Sequence, residues 1–266
     1  MKQTSNKTAD KTKRTIAAFL AAVTVLTAFA GCSGKGEESS SSSQNSTVSS
    51  DSNSSSSSSS SQTENLSTTK DDEFSYYLTD DEQSYVVSVY YGEGAAIYNI
   101  PSEHDGLKVT EISGRAYDTI EDIVEVNIPD TITKIGYKSF RSCENIEKLT
   151  MGNGVEIIED SAFLGCTKLS DITLSESLKE IQISAFLDCT SLKKVTIPDG
   201  VTTIGEVAFG GCTSLEEIHI PASVTEMVGN EGNSTFDICD KLTIYAPAGS
   251  YAEQYAKDND IPFVAE

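Results

Sequence analysis

Three observations predict that the chain folds as a repeat solenoid, a mainly β stack of similar coils. First, an aromatic residue, a Cys and an aliphatic residue follow one another at steps of three, and this triplet recurs every 23 residues. Second, each copy contains a short alternating apolar stretch, which is the period of a half-buried strand. Third, a single copy cannot bury its apolar side alone, so neighbouring copies must stack. The triplets are Phe140, Cys143, Ile146; Phe163, Cys166, Leu169; Phe186, Cys189, Leu192; Phe209, Cys212, Leu215; and, after a step of 27, Phe236, Cys239, Leu242.

One interior copy, residues 192–212, shows how a coil is built. Apolar and polar residues alternate through a first strand at 195–197, and a Pro-Asp-Gly turn ends this strand at 198–200. A second short extended piece occupies 201–204. The apolar residues within 208–212 are spaced as one helical turn would place them on one side. The coils are therefore predicted to combine parallel strands with short helical turns.

The two ends of the stack are predicted to be covered by caps, since solenoid ends expose apolar surface. The N-terminal cap is assigned to residues 74–98, a strand-like stretch that holds six of the eleven tyrosines. The solenoid occupies 99–245, and its degenerate first copy has Tyr117 where later copies have Phe. The C-terminal cap, 246–266, contains a predicted capping helix with Ser250 as its N-cap and an acid three residues on.

The N-terminus is predicted to be an export signal that ends in a lipid attachment site. Residues 1–31 hold five basic residues followed by an apolar run too short to span a bilayer. The segment Phe29-Ala30-Gly31-Cys32 resembles the lipobox of bacterial lipoproteins. The resemblance implies that Cys32 is diacylated and anchors the protein to the outer face of a bacterial membrane, which we expect to be the plasma membrane of a Gram-positive cell. Ordinary secretory cleavage, with Cys32 incidental, is the alternative.

Composition sets limits on the partners. Residues 32–73 are mostly Ser and lack apolar periodicity, so we expect a lipidated Cys followed by a disordered tether. Without residues 1–31 the chain has 14 basic and 40 acidic residues, a net charge of −26. Nucleic-acid binding requires positive charge, so we do not expect the chain to bind nucleic acid. The acidity is explained without any binding role if its only effect is to keep an extracellular domain soluble.

The repeat pattern C-x-x-L-x-x-V-x-I-P-x-x-V-x-x-I-G-x-x-A-F resembles the leucine-rich repeat of BspA-type bacterial surface proteins. The closing stretch from Tyr245 to Phe263 matches the way those arrays end, and the likeness covers about residues 85–266. It implies a leucine-rich-repeat-like fold and a role in adhesion or in recognition of a protein or glycan at the cell surface. It brings no catalytic residues, because its motif consists of packing positions. A structural or spacer component of the envelope, without a discrete ligand, is the alternative.

The outward side of the first strands is the candidate binding face. Its charges alternate in sign from coil to coil, so adjacent coils can pair. Such pairing could equally serve only to relieve repulsion along the stack. The loop at 229–235, which contains the four-residue excess, and the Tyr-rich cap are further candidate surfaces. The face comprises two columns, Glu125, Lys148, Asp171, Lys194, Glu217 and Asn127, Thr150, Thr173, Thr196, His219.

Catalysis, metals and cofactors are not expected. The chain has only two histidines, His104 and His219, so neither a triad nor a metal set can be assembled from them. Ser191 and Lys194 form an S-x-x-K sequence, which also occurs in penicillin-binding proteins, but the other motifs of those enzymes are missing. The five repeat cysteines are expected to be buried thiols that pack as small apolar groups. A disulfide between neighbouring coils is the alternative, because stacking brings consecutive cysteines close together.

Overall fold

The structure, a computed structural model, describes residues 74–89, 95–229 and 234–266. The predicted signal peptide, Cys32, the tether and most of the predicted loop at 229–235 lie outside the described residues, so those assignments stay predictions. In the described ranges no helix is long and apolar enough to cross a membrane.

The described residues form seventeen strands and one α-helix. In chain order these are β1 (Phe74–Leu78), β2 (Tyr85–Val89), β3 (Ile97–Asn99), β4 (Glu103–His104), β5 (Leu107–Ile112), β6 (Glu125–Ile128), β7 (Lys134–Ile135), β8 (Lys148–Met151), β9 (Ile157–Ile158), β10 (Asp171–Thr173), β11 (Glu180–Ile181), β12 (Lys194–Thr196), β13 (Thr203–Ile204), β14 (Glu217–His219), β15 (Glu226–Met227), β16 (Thr243–Ala246), α1 (Tyr251–Asp258) and β17 (Phe263–Ala265).

The strands confirm the predicted solenoid. Each coil contributes a first strand, in the series β3, β6, β8, β10, β12, β14 and β16, and the second strands form the series β5, β7, β9, β11, β13 and β15. Second strands pair in parallel, in register, from β5 to β15. The first strands instead form two separate parallel sheets, β3-β6-β8-β10 and β12-β14-β16-β17. Side chains on the inner side of both series meet in one continuous apolar core.

A column of stacked aromatic rings runs through this core. It begins at Tyr117 and continues through the repeat phenylalanines to Phe236, with centroid separations from 4.6 Å at the start to 5.9 Å at the end. The rings are nearly parallel, at 4–20°. Centroid spacings in this range fit offset stacking, which contributes about 0.5–1.5 kcal/mol per pair beyond burial.

The repeat cysteines are free thiols, and they have a role beyond packing. Each Sγ donates a hydrogen bond to the backbone carbonyl of the aromatic-column residue in the preceding coil. The shortest of these bonds joins Cys143 and Tyr117 (2.9 Å), and the longest joins Cys189 and Phe163 (3.4 Å). Four of the cysteines are buried, and Cys239 is half-buried. Burial raises the pKa of every thiol, to about 12 for Cys143 and Cys239. The thiols are therefore protonated donors at neutral pH.

The turn predicted before each Cys takes the form of consecutive tight turns and not of an α-helix. Residues 159–169 form consecutive tight turns closed by i to i+3 bonds, such as Cys166 N–H to Phe163 C=O (3.2 Å). Alternate amides turn outward to the next coil, as Phe163 N–H does to Ala185 C=O (2.8 Å). Positive φ at Ser161 (59°) turns the backbone between these bonds, and an α-helical ladder cannot form through it.

Both ends of the stack are covered. At the N-terminal end β1 and β2 form an antiparallel hairpin, and β2 extends the second-strand sheet by pairing with β5. At the C-terminal end α1 begins as predicted, with the Ser250 hydroxyl accepting from Glu253 N–H (3.2 Å). The helix buries Tyr255, whose hydroxyl accepts from Thr235 N–H (3.0 Å). Strand β17 then pairs with β16 and completes the second of the first-strand sheets.

We expect Phe163→Ala to lower the free energy of unfolding by about 3–5 kcal/mol, since it removes a buried ring and interrupts the aromatic column. Urea unfolding followed by circular dichroism measures the loss. Lys168→Ala, at an exposed position in the same coil, is the matched control and should change stability by less than about 0.5 kcal/mol. Equal stability of the two variants would contradict the role of the column.

In a Cys32→Ser background, the five repeat thiols should resist iodoacetamide at about pH 8, because their raised pKa values keep all five protonated and burial blocks access to every one except the half-buried Cys239. All five should react once guanidinium unfolds the chain. Mass spectrometry counts the adducts, and an added exposed thiol, Thr213→Cys, provides the reactive control. Fewer than five reactive thiols after unfolding without reductant would reveal a disulfide in the ladder.

Candidate functional site

The predicted binding face lies on the outer side of the first strands, as two sets of aligned residues. In the first set, Glu125 lies opposite Lys148 and Asp171 follows in register. In the second set, Lys194 lies opposite Glu217. The second column shows the same division, with Asn127, Thr150 and Thr173 in register on one sheet and Thr196 and His219 in register on the other.

Charge pairing occurs at two steps of this face. Lys148 Nζ lies 3.0 Å from Glu125 Oε1, and this hydrogen bond lowers the pKa of Glu125. Lys194 Nζ lies 2.9 Å from Glu217 Oε2 and lowers the pKa of Glu217 in the same way. Asp171 lies between the two lysines in sequence order, yet in the described part of the chain it forms no ion pair. The expected alternation of charge therefore does not produce pairing at every step.

The face is interrupted between β10 and β12. These strands belong to consecutive coils, but they lie in different sheets and are not hydrogen-bonded to each other. Most Cα–Cα distances between them exceed 8 Å, whereas paired strands lie about 4.8 Å apart. The two columns are therefore divided after Asp171 and Thr173.

Two hydrogen bonds that recur at other steps are missing here among the described residues. At the start of a first strand, an N–H group donates to the preceding coil, as Glu217 does to the Lys193 carbonyl (3.2 Å). At the end of a first strand, an N–H group donates to the following coil, as Ile197 does (2.9 Å). Lys194 and Leu174 hold these positions at the β10–β12 step, and neither N–H reaches the facing strand.

The hydrogen bonds between the turns that follow the first strands also stop at this step. Asn153 N–H donates to Asp130 Oδ1 (2.7 Å), and Glu176 N–H donates to Asn153 Oδ1 (3.5 Å). In the described chain no bond of this kind joins Glu176 to Asp199, the next residue of the series. Pro198 also lacks the N–H that Gly152 donates to the preceding coil at the equivalent position. Pro221 has the same deficiency one coil later while β12 and β14 remain paired, so the proline alone does not open the step.

The opening forms a cleft of about 830 Å³. Charged and hydroxyl side chains line it, together with an apolar floor of Ile172 and Leu174, which pack against the core. Ile172 and Leu174 are partly exposed in the cleft, although the residues at the equivalent positions of neighbouring coils, such as Leu149 and Met151, are buried. The lining residues are Ser170, Asp171, Ile172, Thr173, Leu174, Glu176, Lys193, Lys194, Thr196, Pro198 and Asp199.

The cleft is confined to the first-strand face. In the same two coils, β11 pairs with β13 in register, and the Phe186 and Phe209 rings remain stacked at 5.3 Å. Phe186 N–H also donates to the Ala208 carbonyl at 2.8 Å. The two coils are therefore held together on their other sides while this side is open.

His219 is less exposed than a solvated face residue would be. Its side chain is 24% exposed, and its ring stacks on Tyr245 with centroids 4.8 Å apart. Nδ1 lies 3.0 Å from Glu266 Oε2, and Nε2 is 3.9 Å from Glu217. The sequence did not indicate this contact, because Glu266 reaches His219 only after β17 joins the sheet.

The Tyr-rich cap is partly buried, and it contacts His104 of the first coil. Tyr98 is fully buried, and Tyr77 is 60% exposed. His104, in β4, stacks on Tyr76 with ring centroids 3.7 Å apart. Within the described ranges no group of His, Cys, Asp and Glu side chains is arranged to hold a metal ion.

Comparison with known proteins agrees with the fold. The family described as "BspA type Leucine rich repeat region (6 copies)" matches residues 110–243, just over half of the chain. Proteins of this family are typically bacterial surface proteins. The leucine-rich repeat solenoid is a non-enzymatic scaffold. No curated protein matches the chain.

Two solved structures of bacterial repeat proteins are similar to this chain. A leucine-rich repeat protein from Bacteroides ovatus is 32% identical, with a TM-score of 0.57, and the match covers 65% of this chain and 45% of that one. A leucine rich cell surface protein from Faecalibacterium prausnitzii is 28% identical, with a TM-score of 0.53, and the match covers 67% of this chain and 54% of that one. The similarity thus spans about half the length of each of these proteins.

Proposed function

Because the chain belongs to the BspA-type leucine-rich repeat family, we propose that it is a lipid-anchored cell-surface protein that binds a protein or glycan through its first-strand face. One observation carries this proposal. The first-strand face is polar, rigidly positioned by paired strands, and opened by a cleft of about 830 Å³, within the range of about 300–1,000 Å³ typical of binding sites.

The anchor in this proposal is a diacylated Cys32 at the outer face of the plasma membrane of a Gram-positive cell. Two acyl chains hold a protein stably, whereas one chain binds only marginally. The Ser-rich segment at 32–73 would separate the anchor from the repeat unit and allow it to reach ligands outside the envelope. Adhesion is the cellular role that this arrangement serves.

We expect a Lys148→Ala/Lys194→Ala variant to lose at least about tenfold in affinity for the ligand, equivalent to about 1.4 kcal/mol. The loss follows because both lysines lie on the proposed face. Full-length protein in detergent is tested against arrays of matrix proteins, mucins and glycans. Lys179→Ala/Lys257→Ala removes two ion-paired lysines from other surfaces and is the matched control, expected to bind normally.

Equal binding by the two variants would remove the first-strand face from the proposal. If the protein binds nothing on the arrays, and a deletion strain adheres normally but has a weakened envelope, a spacer role replaces recognition.

Replacing the lipid attachment residue should release the protein. In cells fed with labelled palmitate, we expect the native chain to be labelled and to remain with the membrane, while Cys32→Ser is unlabelled and appears in the medium. Cys239→Ser, at a half-buried ladder position, is the control and should keep the label. Retention of label by Cys32→Ser would contradict the proposed anchor.

A further inference from the structure

We propose that the cleft between β10 and β12 binds an extended peptide segment of a partner protein, which pairs with both strand edges as an inserted β-strand. The inference rests on the proposed recognition function and names its site and partner class. Strand addition of this kind gains affinity from main-chain hydrogen bonds, and side-chain pockets at alternate positions provide specificity.

Both edges of the cleft present main-chain groups in the order that a strand requires. On β12, Ile197 N–H points to β14, because it donates to the His219 carbonyl (2.9 Å). In a strand, the N–H and C=O groups of one residue point to one side, and those of the next residue point to the opposite side. Both groups of Thr196 therefore point into the cleft. By the same alternation, the N–H groups of Ile172 and Leu174 point into the cleft from the β10 side.

The two edges lie farther apart than the edges of paired strands. A strand inserted between two others needs its neighbours about 10 Å apart, which is twice the spacing of paired strands. Most Cα–Cα distances between β10 and β12 exceed 8 Å, although both strands remain paired on their other sides. The backbone on each side is therefore held in strand geometry, and little ordering of the protein is needed when a peptide enters.

The apolar floor selects alternate side chains of the peptide. Ile172 and Leu174 are two residues apart, so they lie on the same side of their strand and both contact the core. A peptide strand beside them directs every second side chain toward this floor. Apolar residues at those positions would cover Ile172 and Leu174, which are partly exposed here, whereas the equivalent Leu149 and Met151 are buried.

Charge at the end of the cleft where β10 and β12 terminate sets the preferred peptide sequence. Glu176 and Asp199 lie where the strands end, and in the described chain neither carboxylate forms an ion pair. A Lys or Arg at the C-terminal end of a parallel peptide would meet both carboxylates. A second copy of this chain is a poorer occupant, since the chain carries a net charge of −22.

Hydrogen exchange of the full-length protein in detergent tests the free edges first. The amides of Leu174 and Thr196 should exchange at least about a hundredfold faster than the amide of Thr150, which occupies the position equivalent to Thr196 in a paired strand. Exchange of Leu174 and Thr196 as slow as that of Thr150 would overturn the inference, because the edges would already be bonded.

The binding probe is acetyl-Thr-Val-Thr-Val-Lys-amide, whose valines lie on one side of the strand and whose final Lys lies on the other. We expect it to slow exchange at Leu174 and Thr196, and to bind at least tenfold more tightly than the same peptide with alternate N-methylated amides. Replacing its Lys by Glu should also weaken binding at least tenfold. Binding of the native and N-methylated peptides with equal affinity would overturn strand pairing.

Charge reversal on the protein provides the matched comparison. Glu176→Lys/Asp199→Lys should bind the Lys-ended peptide at least tenfold more weakly and should favour the Glu-ended peptide. Glu226→Lys/Asp240→Lys makes the same change in net charge at exposed positions outside the cleft and should bind like the native chain. Equal weakening by both variants would show that net charge, not the cleft, governs binding.

The outcome separates the cleft from the wider function. If the arrays show ligand binding that depends on Lys148 while the peptide leaves Leu174 and Thr196 unprotected, the inserted strand is overturned and surface recognition stands. If the peptide protects both amides, but the arrays and adhesion assays are negative, the cleft inference holds and the proposed adhesive role fails. Protection by added copies of the protein itself would identify self-association and overturn the peptide partner.

Discussion

The fold depends on one constraint: a coil of 23 residues can bury its apolar side only against the coils above and below it. The aromatic column shows how closely this is satisfied. Phe163 has its ring between two others, at 5.2 and 5.3 Å, and donates its N–H to the next coil. Its carbonyl accepts from Cys189 of that coil. Each rung thus supplies both packing and hydrogen bonds to its neighbours, and stability is close to a sum of such nearest-neighbour contacts.

The same constraint explains how one side of the stack opens without loss of the fold. Two consecutive coils meet along the first strands, the second strands and the turns that carry the aromatic ring. At the β10–β12 step the latter two contacts are intact, so the coils remain aligned while the first strands stay apart. The result is a cleft whose walls are regular strands. Natural proteins rarely leave such edges uncovered, which is why this step is a better candidate site than the paired remainder of the face.

The charges of the face gain a different meaning from this division. Lys148 with Glu125 and Lys194 with Glu217 are exposed pairs, and such pairs add little to stability. They lie one on each side of the cleft, while the carboxylates within it, including Asp171, form no ion pair in the described residues. The paired steps therefore account for alignment along the stack, and the open step retains charge that a ligand can neutralise.

The sequence alone determined the repeat period, the strand positions, the core residues and the Ser250 helix cap, because each follows from local spacing and from the need to bury a recurring apolar side. It also aligned the face residues that lie in register within each of the two sheets, since a fixed step of 23 keeps equivalent residues opposite one another. Three features were decided only by tertiary structure: the thiol bonds to carbonyls, the His219 contact with Glu266 and the gap beside Ile172. All three depend on how one coil lies against another. The repeat Leu169-Ser-Asp-Ile172-Thr-Leu174 has the same pattern as its neighbours, so its separation from the next strand leaves no mark in the spacing of residues.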